Sequence, residues 1–212
     1  MKKLVIIGAG GMGRETAWTI ERINGIAPAW EIVGFADDAP SLQNGSVDGL
    51  PLLGSVEKAA QDHPDAAFFI AVGDNGVRER IYNKLPGREF PVIADPSADI
   101  APTAELRQGV LVGPHAVVSA GAKLGMFALV NARAGVGHDC VLGDFSQVCP
   151  GATLSGGTVL GDHAFVGSNA CTAPGVKVGA HAKIAAGTPA YGNVGDGDTL
   201  SPFGTLKAQL GG

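Results

Sequence analysis

Charge, aromatic rings and cysteine are all scarce in this chain, and each shortage narrows what it can be. Charged residues make up 17% of the 212 residues, with a formal net charge of −5. No block of Lys or Arg is long enough to track a nucleic-acid backbone or an anionic membrane surface, so neither is an expected partner. Cysteine occurs three times, at Cys140, Cys149 and Cys171, with no C-x-x-C spacing. That argues against a disulfide framework and for a reducing, cytoplasmic setting, with the thiols as small buried fillers. No Cys/His/Asp cluster has metal-ligand spacing, so no metal is expected. Long apolar runs are missing too. The run at residues 4–7 stops at Gly8, too short for a secretory signal or a membrane span.

What the chain does have is glycine, 33 residues of it, together with 45% hydrophobic residues. Tight turns are the first expectation, because glycine reaches positive φ without strain. The apolar residues then show a period. Every sixth position from Ile100 to Ile184 is aliphatic in fourteen cases of fifteen, the exception being Thr172. Four places after each, the residue is usually small (Ala116, Ala122, Ala128, Ala134, Cys140, Ser146, Ala152). The residue just after the aliphatic one is Gly seven times: Gly113, Gly125, Gly137, Gly143, Gly161, Gly167 and Gly179. A period of six suits neither a helix nor simple strand alternation. It suits a triangular coil of three short strands, with the aliphatic residue inside and glycine serving the turn. Fifteen hexapeptides make about five coils, a prism of roughly 24 Å at about 4.8 Å per coil.

The first part of the chain reads differently. Residues 3–7 predict a buried strand, and Gly8-Ala9-Gly10-Gly11-Met12-Gly13 matches G-x-G-x-x-G before a helix over about 12–24. A strand at 31–35 ends in Asp37-Asp38. Another, at 67–72, is closed by Gly73-Asp74-Asn75, and a helix follows at about 75–85. This order predicts a small Rossmann-like parallel sheet. Three readings of the glycine motif stay open: a dinucleotide site, a nucleotide-sugar site, or glycines used only for close packing. An NAD-dependent oxidoreductase would leave the hexapeptides unexplained.

Of five histidines, His63 falls in a polar loop, and His115, His163 and His181 each sit three places after a repeat aliphatic, as exposed turn residues. His138 sits two places after Val136 and is followed by Asp139, which could orient the imidazole. On spacing alone His138 reads more readily as a turn histidine than as a base.

Residues 8–15 (Gly-Ala-Gly-Gly-Met-Gly-Arg-Glu), Gly34-Phe35-Ala36-Asp37-Asp38, Ala71-Val72-Gly73-Asp74-Asn75 and Gly137-His138-Asp139-Cys140 occur in an order that resembles the hexapeptide-repeat bacterial sugar acetyltransferases, which act on nucleotide-linked amino sugars or on sialic acid. The resemblance implies a Rossmann-like substrate domain (1–95), a left-handed parallel β-helix (96–190) that uses acetyl-CoA, and homotrimeric assembly. It also implies His138 as the base and Asp139 as its partner. The substrate would meet Gly8, Gly10, Gly11, Met12, Gly13, Asp37, Asp38, Gly73, Asp74, Asn75 and Asn131. The coenzyme would meet Gln147, Gly156, Ser168, Ala186 and Gly187. Two departures stand out: Met12 and Gln147 replace histidines found in relatives. Residues 191–212 are unlike the family's ending, and are expected to cover the cofactor, pack on a neighbour or remain loosely ordered. Two rival readings are acetylation of a sugar or sialic acid hydroxyl, and a non-catalytic nucleotide-binding solenoid.

Overall fold

The computed structural model describes residues 1–42 and 45–208. The chain divides into two compact units, one running from Met1 to Pro96 and the other from Ser97 onward.

In the first unit, β1 (Lys2–Ile7) leads into α1 (Gly11–Ile26) and β2 (Trp30–Ala36). A short hairpin of β3 (Ser46–Val47) and β4 (Leu50–Pro51) and a helix α2 (Val56–Asp62) precede β5 (Ala67–Ile70) and α3 (Asn75–Asn83). Strand β6 (Ile93–Ala94) ends the unit. The sheet is parallel with order β2-β1-β5. The four apolar residues Leu4 to Ile7 and the four of β5 are almost wholly buried, as a strand covered on both faces requires. The hairpin and α2 carry no strong periodicity, and the sequence reading passed over them. The side chain of Ser55 caps α2 by accepting from Lys58 N, and Asp74 caps α3 by accepting from Val77 N, which satisfies orphan donors at both starts.

The second unit is a parallel β-helix. Sixteen two-residue strands, β7 (Asp99–Ile100) to β22 (Pro189–Ala190), stack into three faces. The first face holds Val117–Val118, Gly135–Val136, Thr153–Leu154 and Cys171–Thr172. The second holds Lys123–Leu124, Val141–Leu142 and Val159–Leu160. The third holds Leu129–Val130, Gln147–Val148 and Phe165–Val166. Register advances by eighteen residues per coil, with Val118 beside Val136 and Val130 beside Val148. Every sixth-residue position is the inward second residue of its strand. From Val112 onward each is 3% exposed or less.

The glycines after the aliphatic position do not make the turns. Left-handed backbone falls two places later, at Gly109, His115, Gly121, Phe127, Arg133, Asp139 and onward every six residues to Gly187. At Gly143 a Cβ would lie 2.5 Å from Asp162 N, and at Gly161 one would lie 2.5 Å from Ala180 N. Glycine there lets successive coils approach, which corrects the expectation drawn from composition. Cysteine needs a correction as well: Cys140 and Cys149 are buried, but Cys171 is exposed.

Past Ala190 the coil continues with two residues fewer. Val178 bridges Val194, and Lys183–Ile184 pairs with Thr199–Leu200, an offset of sixteen. Strand β23 (Thr199–Ser201) then turns back on β24 (Gly204–Leu206). Residues 191–208, set apart in sequence as a tail, therefore extend the helix; residues 209–212 lie outside the described residues. No helix among those described is long and apolar enough to cross a membrane.

Candidate active site

The prism has three edges, and His138 stands on the edge between its first and second faces. The backbone turns there through Asp139, at φ 58°, a conformation Asp tolerates better than most residues. That turn swings the carboxylate back to its neighbour: His138 Nδ1 lies 2.9 Å from Asp139 Oδ2, and both side chains are about three-quarters exposed (73% and 75%). A carboxylate at Nδ1 selects the tautomer protonated there, which leaves the lone pair on Nε2.

Two glycines from neighbouring coils make room for this pair. A Cβ on Gly121 would lie 2.6 Å from Asp139 Oδ1, and one on Gly156 would lie 2.4 Å from His138 Nε2. Gly157 N also donates to His138 O at 2.8 Å. Gly121 escaped the sequence reading, although its place eighteen residues before Asp139 was a usable signal. Cys140 is buried against the same turn, and its Sγ–H donates to Ser155 O at 3.3 Å. Burial pushes its thiol pKa up, so it stays protonated and is a poor nucleophile.

The remaining expected residues of this unit lie on another edge. Asn131, Ser168, Ala186 and Gly187 all follow strands of the third face, and Gln147 is within that face. Asn131 Nδ2 donates to Val148 O at 2.9 Å, so part of its amide is already used. Gln147 is 6% exposed, and its Oε1 finds no hydrogen-bond partner among the described residues. Gly187 N donates to Ser168 O at 2.8 Å, and the space beyond Gly187 is open. Within one chain, then, only Gly156 of the expected coenzyme residues joins His138.

The third edge carries the other histidines in part. Phe127, Phe145, His163 and His181 stack as a column, with centroids 5.1, 5.4 and 4.6 Å apart. His163 is thus a half-buried packing group rather than the exposed turn residue expected. His115 and His181 are exposed, and His63 closes α2.

The first unit has its own cleft, of about 390 Å³, lined by Ile7, Gly8, Asp37, Asp38, Val56 and Val77, with Arg80, Ile81 and Lys84 beside them. Two of the motif glycines are explained by packing. Gly8 has φ +100° against Ala71 O, and a Cβ on Gly13 would lie 1.9 Å from Gly8 O. Gly10 and Gly11 have open space where a Cβ would be. Gly10 caps α1 with no side-chain hydrogen bond, so the fold itself does not account for these two.

The acidic residues are more engaged than their spacing suggested. Asp37 accepts from Ala9 N and Ala39 N, both at 2.9 Å, and so ties the glycine loop to the end of β2. Asp38 accepts from Val56 N at 3.0 Å and meets Lys84 at 3.4 Å. Asp74 caps its helix, and Asn75 Oδ1 accepts from the buried Arg78, which also donates to the carbonyls of Val72 and Gly73. Gly73 faces the tip of Met12, whose Cε is 3.8 Å from the position of a Cβ. Arg80, in α3, and Lys84, which caps its C-terminal end, were missed in sequence, where single cations near a helix end carry no signal of their own. Among the described residues no group of three or more His, Cys, Asp or Glu is placed to hold a metal.

A catalytic-looking histidine on a hexapeptide β-helix behind a small parallel-sheet domain defines a class, and comparison with known proteins agrees. Residues 3–85 match the model of the PglD N-terminal domain. The acetyltransferase domain of PglB from Neisseria gonorrhoeae, solved with acetyl coenzyme A, is 34% identical, with a TM-score of 0.88 over 98% of this chain and 99% of that one. A mutant of perosamine N-acetyltransferase from Caulobacter crescentus, solved with CoA and GDP-perosamine, is 26% identical, with a TM-score of 0.88 over 99% and 98%. WeeI from Acinetobacter baumannii shares the fold at 24% identity and a TM-score of 0.86, over 97% and 99%. No curated protein matches in sequence. The chain belongs to the hexapeptide-repeat family of bacterial sugar acetyltransferases, and is therefore an acyltransferase.

Proposed function

We propose that this protein transfers the acetyl group of acetyl-CoA to an amino group of a nucleotide-linked deoxy-amino-sugar, a step in bacterial surface glycan synthesis. The observation that carries the reading is the His138–Asp139 pair, held at 2.9 Å on an open edge of the β-helix. Its chemistry is that of a general base with a fixed tautomer. The amine lone pair adds to the thioester carbonyl carbon. The proton shed by nitrogen passes to Nε2 of His138, and Asp139 stabilises the resulting imidazolium. The C–S bond then breaks with its electrons on sulfur, and the same proton returns to the thiolate. Transfer is direct, because the adjacent thiol of Cys140 is buried and held protonated.

The coenzyme residues support a site shared between chains. Gln147, Ser168, Ala186 and Gly187 lie on or beside the third face, away from the His138 edge. One pocket using both sets takes edges from two chains, as in a homotrimer. Acetyl-CoA fits what the second set offers. The unpartnered Oε1 of Gln147 is an acceptor whose burial costs about 1–3 kcal/mol unless a donor meets it, and Gly187 leaves backbone approachable. The cleft of the first unit suits the nucleotide. Its apolar walls from Val56, Val77 and Ile81 fit a base, Arg80 and Lys84 supply positive charge, and Gly10 and Gly11 leave α1 open to a phosphate. The three thiols fit a cytoplasmic setting.

The test is thiol release from acetyl-CoA across UDP-, GDP- and dTDP-linked amino sugars and free sialic acid, with the product analysed by mass spectrometry. The expected result is release with one nucleotide-linked amino sugar and an amide product. Release with sialic acid alone would replace the reading with O-acetylation.

A further inference from the structure

The one break in the aliphatic repeat is at Thr172, and it lies behind the catalytic edge. Thr172 points into the prism, 3% exposed, where every other repeat position is a hydrocarbon. Its Oγ1 accepts from Ser155 N at 3.1 Å and lies 2.8 Å from Thr158 Oγ1. Thr158, also fully buried, donates to Ser155 O at 2.7 Å. Since Thr158 spends its proton on Ser155 O, the proton between the two hydroxyls belongs to Thr172. The bonds then run in one sense around a closed ring: Ser155 N–H to Thr172, Thr172 O–H to Thr158, and Thr158 O–H to Ser155 C=O. A ring of this kind leaves every buried member satisfied and its bonds mutually polarised.

The ring grips both peptide groups of Ser155, and the residue that follows is Gly156, which abuts His138 Nε2. Next comes Gly157, whose N–H holds His138 O at 2.8 Å. Ser155 O also accepts from Thr158 N at 3.2 Å and from Cys140 Sγ, two residues past His138, at 3.3 Å. We propose that the Thr172–Thr158 hydroxyl pair is a positioning device for the base. It fixes the 155–157 turn as the surface on which the His138 imidazole rests, so Thr172 sets the rate of acetyl transfer without touching substrate. An exposed imidazole needs such a surface, since solvent imposes no orientation on it, and misplacement of a base by about an ångström costs roughly a hundredfold in rate. The inference rests on the reading of His138 as base.

The test crosses hydroxyl against volume. Thr172→Val keeps the shape and removes the ring. Thr172→Ser keeps the ring and loses a core methyl, which lowers stability. The proposal expects kcat to follow the hydroxyl: near wild type in Thr172→Ser despite its lower melting temperature, and down at least tenfold in Thr172→Val, with KM for acetyl-CoA and acceptor within about threefold. Should Thr172→Val fail to fold, Thr158→Val breaks the same ring from the other side and carries the same expectation. A merely structural role expects activity to track stability, so a kcat in a folded ring-breaking variant within about twofold of wild type overturns the proposal. Failure of the underlying reading looks different, because His138→Ala would then retain wild-type kcat.

Discussion

At the scale of single residues, the site depends on absent side chains as much as on present ones. Gly156→Ala places a methyl where Nε2 of His138 now rests. The ring is three-quarters exposed and can swing outward, so the fold should survive while the proposed base is displaced. The expected outcome is a drop in kcat of at least tenfold with an unchanged melting curve, checked by steady-state kinetics beside circular dichroism. The His138–Asp139 pair itself was legible in sequence as a motif, but its geometry was not. Adjacent residues touch here only because Asp139 takes the left-handed conformation, and nothing in one sequence announces positive φ at a non-glycine. Asp37 and Asp38 show the converse. Their place after β2 was correctly read, but spacing could not reveal that backbone amides of Ala9, Ala39 and Val56 already occupy them.

At the scale of elements, the six-residue period was plain because each inward position is buried by its own coil and by the next. The turns were less plain, since two different demands fall on glycine two residues apart, close approach at one position and positive φ at the other. The stacked column on the third edge shows the second demand met without glycine. Phe145 is 5% exposed at φ 56°. Phe145→Ala is expected to cost about 3 kcal/mol, as large-to-small core changes do. Phe145→Gly should be no less stable than Phe145→Ala, because glycine sheds about 1 kcal/mol of left-handed strain; urea midpoints decide the order. The final coil was illegible because it is two residues short, which ends the period. It is closed by Asp198, buried and accepting from Lys207 Nζ at 2.7 Å and Ala208 N at 2.9 Å. The bond from Lys207, then that from Ala208, holds the carboxylate pKa below its ordinary value. Its stabilisation is present above the unfolded carboxylate pKa and is lost as pH falls through the lower, folded one. Protection factors of the amides in the β23–β24 hairpin, that is, exchange corrected for its intrinsic pH dependence, should therefore fall in acid, and Asp198→Asn should show low protection at neutral pH; equal protection in the variant and wild type at pH 7 would remove Asp198 as the closure.

At the scale of the whole molecule, two units bring two kinds of recognition into one chain. The β-helix carries the proposed base on one edge and open backbone on another, and the parallel-sheet unit carries an apolar cleft with cations at its side. The order of these units was readable, the first from a glycine motif among alternating strands and helices and the second from its six-residue period. That the residues proposed to hold the coenzyme stand apart from His138 was not, because motif order is linear and prism edges are not. The proposed reaction turns on one atom, Nε2 of His138. The most direct measurement is acetyl-CoA-dependent thiol release by wild type and His138→Ala at saturating substrates, with both proteins shown to be folded. The account expects the variant to lose at least a hundredfold in kcat, in the range a positioned general base supplies. A variant that releases thiol at the wild-type rate would contradict it.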